Sequence, residues 1–130
     1  AARPRQGHRR RMTVRVYVAT TLADLGDHLA AGTVPATAER VVAPGDDEES
    51  EYDALMTAAD LSAASQPAGA RRVVVVAELP GDADAEIPWR DVVAVHADET
   101  TDADPDDPPA WYAPQEVDVI LSRGAGAEAE

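Results

Sequence analysis

Three histidines, five aromatic rings and 25 carboxylates carry most of the chemistry open to this chain of 130 residues. It has no cysteine, which removes thiolate nucleophiles, disulfides and cysteine-based zinc or iron–sulfur sites together. His96 closes the apolar run Asp91–Ala97. If Val92, Ala94 and His96 share a strand face, the imidazole ends that row beside Asp98, where it could serve as a general base. The plainer alternative is a satisfied strand-end residue. His28 lies one turn after Asp24, off the leucine face of its helix, and an i,i+4 pair on a solvated surface accounts for it. Glu51-Tyr52 and Trp111-Tyr112, with Gln115 and Glu116 just beyond, bring rings and hydrogen-bonding groups together and are the candidates for a small binding cleft. Adjacent strand residues point to opposite faces, so one ring filling the core and the other capping an edge is the preferred reading of the Trp-Tyr pair.

Other chemistries fail on spacing. There is no phosphate loop, no dinucleotide fingerprint after a strand, no nucleophile elbow and no zinc-protease helix. Asp102, Asp104 and Asp106 match the first three ligand positions of a calcium loop, but Asp107 replaces the required glycine and Ala113 the bidentate glutamate. Asp82, Asp84 and Glu86 fail likewise, with Ile87 and Val93 at those two positions. No catalytic set, metal site or cofactor is expected, only diffuse cation association.

The elements that would position these residues follow from pattern. Val14, Val16 and Val18 alternate with Arg15, Tyr17 and Ala19, a strand. Thr21 and Asp24 open a helix whose Leu22, Leu25 and Leu29 share a face, and Gly32 stops it. Glu39–Val42 reads as a short strand. Asp46 to Ser65 is the second helix, capped by Asp46 with Glu49 and striped by Tyr52, Leu55, Met56, Ala59 and Ala63. Arg72–Leu79, with four consecutive valines, predicts a central strand buried on both faces. Asp91–Ala97 is another strand, 98–110 an acidic Pro-rich loop, Trp111–Ala113 a short strand, and Val117–Leu121 an element of undecided type. The order predicts an α/β domain, with α+β as the alternative: a single mixed sheet covered by two main helices over residues 12–121.

Charge is segregated. Residues 1–11 hold five arginines and no acid, while the rest holds six against 25 acids, a balance of −19. The Arg-rich leader reads as disordered, and either as a nucleic-acid tether or as a non-native extension before a start at Met12, the latter being preferred. Residues 122–130 read as a disordered tail. Acid runs at 46–53, 82–86 and 98–107 repel phosphates, so the body is not expected to bind nucleic acid. Leu, Ile and Val make up 24 of 130 residues, a fraction that warns of disorder, yet all lie in 12–97 and 111–121. The longest run of large apolar residues is Val73–Val76, too short for a membrane span. Arg15 and Asp24 interrupt any signal-peptide core after Arg9–Arg11, so a soluble cytoplasmic protein is expected. The absence of Lys, Asn and Phe points to a GC-rich genome and explains why every basic residue is Arg.

Arg15-Val-Tyr-Val-Ala-Thr-Thr-Leu22, Glu48-Glu-Ser-Glu-Tyr52, Arg71-Arg-Val-Val-Val-Val76, Asp91-Val-Val-Ala-Val-His96 and Trp111-Tyr-Ala-Pro-Gln-Glu116 occur in that order. In combination they resemble an uncharacterised family of small acidic actinobacterial proteins, a domain of unknown function, over about residues 14–121. Members usually carry Pro where Ala19 stands, and a longer stretch between the His and Trp-Tyr blocks. The resemblance implies an actinobacterial source and a cytoplasmic α/β protein, and supplies no activity.

Three functions are therefore expected to compete. The leading one is a non-enzymatic binding or regulatory module whose acidic surface engages a basic protein partner. The second is a small enzyme or small-ligand-binding protein with a cleft near His96 and Trp111–Glu116, joined by Glu51 and Tyr52. The third treats the acid excess as salt adaptation alone.

Overall fold

The computed structural model describes residues 13–122. The Arg-rich leader, the start at Met12 and the tail from 123 onward lie outside the described residues.

β1 (Val14–Thr20) keeps the alternation: Val16 and Val18 enter one core, Tyr17 the other. α1 (Leu22–Ala31) starts where the Thr21 side chain accepts a hydrogen bond from the Asp24 amide. It ends at Gly32, whose φ of 76° suits the left-handed turn there. β2 (Thr33–Val34) pairs with β5 (Ile87–Pro88) in a two-stranded ribbon that two-residue strands could not announce by periodicity. β3 is Arg40–Val42. α2 (Glu48–Ala64) is capped by Asp47, which accepts from the Ser50 amide, one residue later than the expected Asp46 cap. β4 (Val73–Leu79), β6 (Val92–Ala97) and β7 (Ala110–Tyr112) complete the strands. Segment 117–121, undecided from sequence, is helical, and the helix takes in Ser122, expected in the tail.

The sheet order is β3-β1-β4-β6-β7, with β4 central as its valine run required, and every ladder is antiparallel. The expected mixed sheet is corrected to the α+β alternative. The reason is visible in β3-α2-β4: both strands run antiparallel to β1 and so parallel to each other, but β1 lies between them. The strand–helix–strand order is present without a parallel ladder.

Two cores flank the sheet. Leu25 of α1, Val34 and Ile87 of the ribbon, and Val117 and Ile120 pack on one face with Val16, Val18, Val73, Val75 and Val95. α2 covers the other face, over β1, β3 and β4. Its buried residues are Ala54, Leu55, Ala58, Ala59 and Ser62. The expected stripe is thus rotated: Tyr52 and Ala63 are exposed, because small side chains let the helix approach a sheet already filled by Tyr17, Val74 and Val76. Ser62 is fully buried, donating to the Thr20 carbonyl at 2.7 Å and accepting from the Val73 amide at 3.0 Å.

The acidic loop 98–109 is anchored rather than merely solvated. Arg72 and Asp98 are buried together. The Arg72 guanidinium donates to both Asp98 carboxylate oxygens at 2.8 Å, and its amide donates to the same carboxylate at 2.9 Å. The guanidinium also donates to the carbonyls of Asp104, Pro105 and Asp107, tying the loop to the start of the central strand β4.

Candidate functional site

β6 does not carry the row its sequence suggests. Val92 pairs with Ala77 and Ala94 with Val76, so Val93 is the extra residue of a bulge and is exposed. The bulge puts Val92 in the α1-side core and leaves Ala94 and His96 on the α2 side. His96 stands opposite Trp111 across the β6–β7 ladder. Beyond the flank of α2, this half of the face opens into a cleft of about 600 Å³.

Four of the residues singled out from sequence line that cleft: Glu51, Tyr52, His96 and Trp111. Arg15, Tyr17, Glu48, Glu49, Leu55 and Ala94 line it with them. The other three do not. Tyr112 turns to the opposite face and packs against the α1-side core, as neighbouring strand positions must. Gln115 is exposed on the 3₁₀ turn Pro114–Glu116, and the Glu116 carboxylate turns back to accept from the Ala113 amide at 2.8 Å. Two signals could have found the missed residues. Alternation in β1 puts Arg15 and Tyr17 on one face, and helical spacing puts Glu48, Glu51, Tyr52 and Leu55 on one flank of α2.

The walls differ in chemistry. The first turns of α2 supply carboxylates, while Tyr17, Tyr52 and Trp111 supply rings, Trp111 being 60% exposed. Arg15 is the cation among them. It donates from Nε to the Tyr17 hydroxyl at 3.1 Å, pairs with Glu78, lies 3.9 Å from Glu51, and sits 6.0 Å from the centre of the Tyr17 ring. Burial raises the Tyr17 phenol above its ordinary range, against the pull of Arg15.

His96 does not lean on Asp98, which Arg72 occupies; its Nδ1 meets the Pro109 carbonyl at 3.4 Å. Since a carbonyl only accepts, Nδ1 carries the proton and Nε2 is the acceptor. Burial holds His96 below its ordinary pKa; the Pro109 hydrogen bond opposes this and the charge of Arg15 reinforces it. His28, expected as the i,i+4 partner of Asp24, also has its Nε2 3.4 Å from the Thr20 hydroxyl; burial lowers its pKa, and the charges of Asp24 and Asp27 oppose this. Among the described residues no three His, Asp or Glu side chains converge as a metal-holding group, and no helix is long and apolar enough to cross a membrane.

A family model for a family of unknown function, DUF6912, matches residues 14–121. The chain belongs to DUF6912. The match takes in every strand of this DUF6912 sheet and every residue lining its cleft. No curated protein and no solved structure matches the chain.

His28 and His96 are expected to make this DUF6912 protein less stable on acidification, in a defined window. Burial lowers both His96 and His28 below the ordinary value of 6.5, so on acidification the unfolded chain takes up these protons first. Their contribution to stability is complete above pH 6.5 and is lost as pH falls from there through the folded-state values. Denaturant unfolding should show a lower midpoint at pH 5.5 than at 7.5, with a smaller difference in His96→Gln. A ring-proton NMR titration that put the His96 midpoint at or above 6.5 would refute the assignment.

Proposed function

We propose that this protein is a non-enzymatic binding module, working in the cytoplasm, that receives a basic side chain of a protein partner in the cleft between α2 and β6–β7. One observation carries the reading: Tyr17, Tyr52 and Trp111 line the same concavity as Glu48, Glu49 and Glu51. Aromatic faces attract guanidinium and ammonium groups, and carboxylates give them charge-assisted hydrogen bonds. The same carboxylates repel phosphates, which supports a protein partner over nucleic acid.

Titration with a short Arg-containing peptide, followed by tryptophan fluorescence and amide NMR, tests this. Shifts should be saturable, confined to cleft residues and weakened by salt. Trp111→Ala and Glu51→Gln should each reduce affinity by about tenfold, roughly 1.4 kcal/mol. An absence of saturable shifts, or shifts centred elsewhere on the surface, would remove the proposal.

The second reading, a small enzyme or small-ligand-binding protein, draws on His96. Its Nδ1 is oriented by Pro109 and its pKa is held down, so its Nε2 has the character of a general base at neutral pH. A small metabolite that perturbs the His96 ring resonances and stabilises the fold against heat would favour it over the peptide.

A further inference from the structure

A second concavity, of about 470 Å³, adjoins the first at the end of β1. The two share Arg15 and Glu51 as lining residues, so this ion pair, 3.9 Å across, lies where they meet. The second cleft is bounded by the turn 42–46 after β3 and adds Asp46 and Glu78 to the carboxylates. Among the described residues Arg15 is the one cation lining either cleft at neutral pH, and it is already engaged by Glu78 and the Tyr17 hydroxyl. Each lobe therefore carries carboxylate charge in excess of what Arg15 balances.

Resting on the reading above, we propose that the partner presents an extended segment with two basic residues, one in each lobe, straddling the Arg15–Glu51 pair. The sheet gives the scale. Three interstrand spacings of about 4.8 Å separate β6 under the first lobe from β3 beside the second, about 14 Å in all. An extended chain advances about 3.3 Å per residue, so four to five residues cover that span. A folded partner offering one protruding arginine would fill the Trp111 lobe and leave the Asp46 lobe unused. An extended segment accounts for both, and the second contact adds to the first as an intramolecular event.

The test compares acetyl-arginine amide with peptides holding two arginines separated by zero to six neutral residues, using tryptophan fluorescence on the full chain. Affinity should peak when the arginines are about four to five positions apart, at least about tenfold above the single-arginine compound. Asp46 is exposed and lines only the second lobe, so Asp46→Asn should abolish most of that gain while leaving acetyl-arginine amide binding unchanged. Affinity that rises with charge irrespective of spacing, or an Asp46→Asn effect equal on both ligands, would overturn the two-lobe proposal and leave the single-cleft reading standing. If neither ligand binds, both fall.

Discussion

Asp98→Ala should lower the free energy of unfolding by about 3–5 kcal/mol, the range seen when one partner is removed from a buried ion pair. Asp98 is almost fully buried and receives three hydrogen bonds from Arg72, two from the guanidinium and one from the backbone amide. Its removal leaves a buried guanidinium without its counter-charge and the amide that precedes β4 without its acceptor. The loss would take a large share of the roughly 5–15 kcal/mol that a domain of this kind possesses. Urea unfolding gives the number, and hydrogen exchange should show the non-proline amides of 99–107 released together, because the three loop carbonyls depend on the same guanidinium. The double substitution Arg72→Met with Asp98→Leu should recover part of the loss, since replacing both charges leaves none stranded. A loss below about 1 kcal/mol in Asp98→Ala would show that the pair does not hold the loop.

The second large effect is expected at Ser62. Ser62→Ala removes a donor to the Thr20 carbonyl and an acceptor for the Val73 amide, both buried where β1 and β4 meet. Each buried group left unpaired costs about 1–3 kcal/mol, so a total loss of about 2–6 kcal/mol is expected. Ser62→Thr keeps the hydroxyl and separates its loss from the effect of changed volume. Faster exchange of the Val73 amide in Ser62→Ala would place the damage at the α2–sheet contact. If Ser62→Ala unfolds at the same denaturant concentration as the parent, the hydroxyl is not a bracket between helix and sheet.

Local features were legible and non-local ones were not. The β1 alternation, the Thr21 cap and the Gly32 stop each depend on residues within a few positions, and the structure follows them. Arg72 and Asp98 are 26 positions apart. A charge run gives no hint that one of its members is neutralised at that distance, so the pattern shows only an acidic, Pro-rich loop. The α2 stripe of the structure differs from the expected one because large side chains dominate any hydrophobic pattern, whereas Ala54, Ala58 and Ser62 are buried for their smallness. The Val93 bulge shifted Val92 out of the row assigned to His96, which no period-two pattern reveals.

The same distinction governs the cleft. Glu51-Tyr52, His96 and Trp111 drew notice as local oddities, but their meeting depends on sheet order. Tyr112, Gln115 and Glu116 were included by adjacency in the chain, which the strand pleat and the turn at Pro114–Glu116 convert into divergence in space. Arg15 looked like an ordinary outward residue of a strand, since nothing nearby in sequence shows that Glu51 and Glu78 flank it.

The bracing of the loop by Arg72 has a consequence for heredity. Outside Asp98, the guanidinium engages carbonyls, which every amino acid supplies alike. The anchor reads the path of the chain and is blind to most of the side chains along it. Changes of charge that spare Asp98 and Asp104, whose carboxylate accepts from the Asp106 amide, should therefore leave it anchored, provided the backbone course is kept. Asp102 is an exception, because its φ of 59° is a conformation that few residues adopt readily. Selection on what this rim presents to other molecules is thereby uncoupled from selection on folding.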